Sequence, residues 1–179
     1  MMKGILSSLI RFSQKELVKG RSNQPSFKRW QLIQSFIGGL IAISCLGLLS
    51  NLSTYPLLIA PFGASTVLLF GAPNSPLAQP RNLIFGNLVG AISAVLCVFL
   101  LGSSSLSSGI AVGLTIFLGQ AFRCLHPPAG AVALLGVLLK ASPIFIFIPI
   151  LSGSLILLGI ALGFNRFLQR EQSYPKHWL

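Results

Sequence analysis

From residue 32 onward the chain runs through six apolar stretches separated by short polar breaks, at about 32–50, 54–71, 83–102, 108–122, 127–140 and 144–164. At about 1.5 Å per helical residue, the first, third and sixth are long enough to cross roughly 30 Å of hydrocarbon. The second and fifth are short and interrupted by proline, at Pro56 and Pro61 and at Pro127 and Pro128. Proline has no N–H, sets φ at about −65° and drives the preceding residue extended, so a fresh helix is expected at Pro61 and at Pro127 or Pro128. The pattern predicts an all-α polytopic membrane protein with four to six membrane segments.

Upstream lies a basic tail over residues 1–31. Ile5, Leu9 and Phe12 recur at helical spacing among Lys and Arg, which suits a helix lying on the membrane surface, or else a disordered basic tail. Residues 20–25 read as a linker, and Lys28, Arg29 and Trp30 as an interfacial anchor. The first apolar run is too long for the core of a signal peptide and is expected to be retained as a helix. The membrane domain is then 32–165, followed by a C-terminal tail over 166–179.

The two broken stretches resemble each other. Pro61, Gly63, Ala64, Ser75 and Pro76 recur 67 positions later as Pro128, Gly130, Ala131, Ser142 and Pro143, with Gly86 and Gly153 continuing the register. The chain therefore reads as two repeated halves, about 32–102 and 108–168, each carrying a short proline-broken helix. If all six stretches cross, the halves are inverted, and both tails, Arg81 and Arg123 share one face against Lys140 alone. If the short ones dip in and return, all three loop cations lie opposite the tails. The first arrangement fits the positive-inside bias better, and both put the termini on the cytoplasmic or equivalent side.

Composition narrows the function. Apolar residues make up 53% of the chain and charged residues 8%, with mean hydropathy +0.82, against about a quarter charged residues in a soluble domain. The net charge of +11 sits mainly in the tails, where basic residues bind anionic lipid and set orientation; no nucleic-acid motif accompanies it. Cys45, Cys97 and Cys124 lie in or beside apolar runs and imply no disulfide framework. Cys124 and His126 are too few for a zinc site, so neither metal nor cofactor is expected. With no carboxylate pair and no recognisable Ser or Cys triad, neither is enzymatic activity.

Between Glu16 and Glu171 there is no acidic residue, yet Arg81, Arg123 and Lys140 occupy the loops beside the broken segments. A buried arginine with no internal carboxylate calls for an exogenous anion, unless both arginines simply lie among lipid headgroups. The amides of Gly63, Ala64, Ala129, Gly130 and Ala131 fall just past the prolines, where first-turn N–H groups lack helical acceptors and attract anions. Alternatively, the prolines only kink packed helices. His126, directly before Pro127, can donate to an anion or carry a proton with it, or can brace the break. Gln79, Asn82, Asn87 and Gln120 are further donors or interhelical glue. Paired glycines at 86/90, 109/113 and 159/163 allow close packing and a homo-oligomer. These features point to passage of a small anion, by transporter or channel. The alternative is an accessory or assembly protein that acts through its basic tails.

The stretches Cys124-Leu125-His126-Pro127-Pro128-Ala129-Gly130-Ala131, Ala60-Pro61-Phe62-Gly63-Ala64-Ser65 and Ser75-Pro76-Leu77-Ala78-Gln79-Pro80-Arg81-Asn82 resemble the HPP family of integral membrane proteins. That family is usually described with four transmembrane segments. The chain looks most like its cyanobacterial and plastid branch, whose members are implicated in nitrite transport. The resemblance implies nitrite as the anion and a cyanobacterial plasma membrane or plastid envelope as the location, which makes the side of the termini cytoplasmic or stromal. Ser65, in the stretch beside Gly63 and Ala64, is counted with the binding set. Pro61, Pro76, Pro127, Pro128 and Pro143, the prolines of the helix starts and of the repeat, are expected to have structural roles.

Overall fold

Three helices of 20 to 24 residues dominate the fold, α1 (Arg29–Leu52), α3 (Asn82–Leu101) and α6 (Ile146–Phe167), each apolar and long enough to cross a membrane. Between them lie α2 (Ala60–Gly71), α4 (Ser105–Ala121) and α5 (Pro127–Leu138). The computed structural model describes residues 19–20, 24–53, 56–168 and 174–178, and all regular structure among them is helical. The surface helix expected near Ile5, Leu9 and Phe12 lies outside the described residues. The chain divides into residues 1–32 and 33–179. In the first part Lys28 N donates to Gln31 Oε1 at 2.9 Å, half of a capping box at the start of α1.

The expected helix starts are found, one of them shifted by a residue. α2 begins at Ala60, with Pro61 in its first turn, after an extended Ile59; α5 begins at Pro127 after an extended His126. α5 has 12 residues, and α2 consists of seven residues continued by a five-residue π-turn at Val67–Gly71. Each rises about 18 Å, well short of a roughly 30 Å core, so neither spans as a helix by itself. α6 carries a break that the apolar pattern does not predict: Ile148 is extended (φ −132°, ψ 118°) before Pro149, and the helix runs on from there. Pro149 is the repeat equivalent of Asn82, where α3 begins.

The repeat is therefore structural. A shift of 67 carries the bounds of α2 onto those of α5. The outer helices match as well, with a two-residue difference in the connection: α1 buries Gly38, Ala42 and Leu46, and α4 buries Ser107, Ala111 and Thr115. Both stripes recur every fourth residue, the narrow face that close packing on one neighbour requires.

The third helices are exchanged between halves. Ala42 and Leu46 of α1, Phe62, Leu69 and Phe70 of α2, and Leu157, Ala161 and Phe164 of α6 share one core. Ala111 of α4, Ala133 and Val137 of α5, and Ala94 and Cys97 of α3 share another. Thus α2 packs with the α6 of the other half and α5 with the α3 of the other half, while α2 and α5 also touch each other. Reciprocal exchange of this kind is the geometry of a two-fold relation between the halves.

Glycines sit where the exchanged helices meet. A Cβ on Gly153 of α6 would strike the Phe62 ring of α2, and one on Gly90 of α3 would strike the Ala129 carbonyl oxygen of α5. At Gly86 an added Cβ would lie 2.7 Å from Cys124 O. Both half-length helices therefore approach the partner half closely.

Candidate functional site

His126 ends the loop between α4 and α5 and is 2% exposed. The proline after it restricts its backbone and holds it extended. Its Nδ1 lies 2.9 Å from Leu77 O and its Nε2 lies 2.9 Å from Ser65 Oγ. A carbonyl can only accept, so Nδ1 carries a proton and donates; in the neutral ring Nε2 then accepts from the Ser65 hydroxyl. Ser65, on α2, is fully buried. One side chain thus joins α2 and the start of α5 to the loop before α3.

That loop is braced from within. Gln79 Nε2 donates to Pro73 O at 3.0 Å and to Ser75 O at 2.8 Å, and Ser75 Oγ accepts from Leu77 N at 3.2 Å. The C-terminal tail docks on the same loop: Tyr174 Oη donates to Ala78 O at 3.0 Å, and Lys176 N donates to Gln79 Oε1 at 2.8 Å. Burial pushes the Tyr174 phenol well above its ordinary range. These contacts aim Leu77 O at His126.

At the centre, Asn87 of α3 donates from Nδ2 to Ser154 Oγ of α6 at 3.0 Å, both side chains buried. They are equivalent positions of the repeat, 67 residues apart, and together with the reciprocal exchange of the third helices their contact fits a two-fold relation between the halves. Asn87 Oδ1 is buried without a partner among the described residues.

The other expected residues fall into distinct places. Arg81 is half-buried and donates from Nη2 to Phe122 O at 3.0 Å. Arg123 is exposed with φ 53°; Cys124 N reaches back to Gly119 O at 2.8 Å, which makes Arg123 the left-handed residue of a helix C-cap. Lys140, with φ 52°, ends α5 in the same way, as Ala141 N donates to Gly136 O at 2.8 Å. Gln79 has both amide hydrogens on carbonyls, and Asn82 Nδ2 donates to Leu125 O at 2.7 Å. These side chains brace loops, and their bonded donors are not aimed at a ligand. Gln120 is exposed.

The amide donors expected past the prolines are largely used or displaced. Phe62 N donates to Ile59 O at 3.0 Å and Ala129 N to His126 O at 2.9 Å, while Pro61, Pro127 and Pro128 have no N–H. Gly63, Ala64, Gly130 and Ala131 lie far enough into α2 and α5 that a carbonyl exists four residues back. The double proline that starts α5 thus removes donors an anion would need. Pro61 and Pro128 are buried, whereas Pro76, Pro127 and Pro143 are exposed. Among the described residues no three His, Cys, Asp or Glu come together to hold a metal.

Two repeats with exchanged third helices, half-length helices starting at proline and a buried polar seam between them define a polytopic helical membrane protein. The chain belongs to the HPP family: residues 24–175 match the model described as HPP, transmembrane region. Two similar proteins of Dictyostelium discoideum, each named a transmembrane protein, are 38% identical over 95% of this chain and 39% identical over 83% of it. This chain covers 64% and 50% of their lengths, respectively. No solved structure matches it.

Proposed function

We propose that the protein transports a small inorganic anion, nitrite first among candidates, through the seam between its two repeats. This reading rests on the buried His126–Ser65 pair, which links the two half-length helices at the repeat interface, where transporters built from repeats place their substrate sites. Binding there turns the Ser65 hydroxyl from Nε2 to the anion, and the His126 ring, whose Nδ1–H stays on Leu77 O, donates from Nε2 once it takes up a proton with the anion. No acidic side chain lies between Glu16 and Glu171 to repel the anion. Both side chains are buried, so access requires the exchanged helix groups to move apart. Exposed Arg123 draws anions toward the α4–α5 loop.

Nitrite, and a cyanobacterial plasma membrane or plastid envelope with both termini on its cytoplasmic or stromal side, follow the family resemblance. Although Ser65 and His126 pair as a nucleophile and base would, a backbone carbonyl stands behind the ring where a hydrolase uses a carboxylate, and we read the pair as a binding element without catalysis. The test is uptake by proteoliposomes offered nitrite, nitrate, formate and bicarbonate at two pH values. Saturable nitrite uptake supports the reading; flux of every anion that tracks membrane potential without saturating indicates a channel instead.

A further inference from the structure

Arg81 has a setting that the transport reading does not use. It stands one residue before α3, at the end of a helix long enough to span, and so at headgroup depth. Its guanidinium has five N–H donors; Nη2 reaches Phe122 O, and Nε is buried without a partner among the described residues, while the residue as a whole is half-exposed. Beside it runs an apolar groove of about 350 Å³, lined by Phe85, Leu88, Val89 and Ile92 of α3 and by Phe122.

Those α3 residues are spaced i, i+3, i+4 and i+7, one continuous helix face. From Arg81 to Ile92 the helix rises about 16 Å, close to one leaflet of a roughly 30 Å core. Ile92 also borders a second apolar groove of about 500 Å³ that continues to Phe99. A chain entering at Arg81 therefore has an apolar track through its whole leaflet.

We propose that this groove is a binding site for an anionic phospholipid, with the phosphate on the Arg81 guanidinium and one acyl chain along Phe85 to Ile92. Charge selects the headgroup. Exposed Arg123 directly follows Phe122, and the absence of acidic residues between Glu16 and Glu171 leaves both cations without a nearby carboxylate in sequence. A phosphatidylglycerol headgroup meets this charge favourably, whereas the choline of phosphatidylcholine is repelled by it.

The experiment is native mass spectrometry of the full chain in detergent with phosphatidylglycerol or phosphatidylcholine added, and with melting curves to show that each variant is folded. Wild type is expected to retain phosphatidylglycerol about tenfold better than phosphatidylcholine, because both lipids offer the phosphate and only the choline cation is repelled by the guanidinium. Arg81→Gln should remove that preference, and Ile92→Trp, which fills the groove, should weaken retention of both lipids. Arg166→Gln, which removes an exposed charge at the end of α6, should change neither. Equal retention of the two lipids, an unaltered preference in folded Arg81→Gln, or an equal loss in Arg166→Gln would overturn the proposal. So would release of the lipid by millimolar inorganic phosphate, because binding would then rest on the headgroup alone.

Discussion

Asn87 and Ser154 hydrogen-bond each other at 3.0 Å across one full repeat, 67 residues apart in the chain. The contact marks where the two halves turn about each other, and it joins the exchanged helices α3 and α6. Interhelical hydrogen bonds of this kind contribute about 0.6 kcal/mol on average and up to about 1.7 kcal/mol in membrane proteins. A double-mutant cycle of Asn87→Leu and Ser154→Ala, read by reversible unfolding in mixed micelles, is expected to give a coupling energy within that range. A coupling indistinguishable from zero would show that the seam is held by packing alone.

Ser65→Ala leaves Nε2 of His126 buried without its partner, at a cost of about 1–3 kcal/mol. His126→Ala removes both of the bonds that join α2 and the α5 start to Leu77 O, and should destabilise more. The order, with His126→Ala less stable than Ser65→Ala, is checked by melting temperatures in one detergent. Equal stability of both variants and wild type would mean that the pair contributes nothing to holding the halves together.

The glycines at the exchange contacts separate from those that face outward. Gly153→Ala, whose Cβ meets the Phe62 ring, is expected to cost about 1–3 kcal/mol by overpacking. Gly109→Ala and Gly163→Ala, with nothing among the described residues within 4 Å of the added carbon, should be neutral or slightly stabilising through helix propensity. Melting curves of the three variants decide it, and an unchanged Gly153→Ala would contradict the close approach of α2 and α6.

Much of this arrangement is legible in the residues. The prolines at 61, 127 and 128 mark the helix starts because proline acts locally, and the 67-residue register aligns the half-length helices to the residue. What the sequence hides depends on tertiary placement. That Asn87 meets Ser154 requires knowing that the third helices cross over, although the shared register pairs the two positions. The amides past the prolines look available from sequence spacing, but the tight turns at Phe62 and Ala129 close onto Ile59 and His126. Arg123 reads as a site cation until its C-cap geometry turns it outward. The break at Ile148 is illegible because a single proline in a long apolar run looks like an ordinary kink.

The C-terminal tail offers a pH test. Tyr174 is buried against Ala78 O, and burial raises its ionisation above the ordinary phenol value. The folded pKa thus exceeds the unfolded one, so this contribution is complete below about pH 10 and is lost as pH rises from there toward the folded value. Wild type should lose stability on alkaline titration by more than Tyr174→Phe does, measured as the difference in melting temperature at each pH. Parallel pH profiles for the two would show that the phenol ionises as freely in the folded state.

The decisive experiment is nitrite uptake by proteoliposomes carrying wild-type protein, compared with His126→Ala, Gly109→Ala and empty vesicles. Saturable uptake in wild type and in Gly109→Ala, with loss to the empty-vesicle level in folded His126→Ala, is the predicted result. Wild-type uptake no greater than that of empty vesicles, or full uptake in His126→Ala, would contradict transport through the seam at His126 and Ser65.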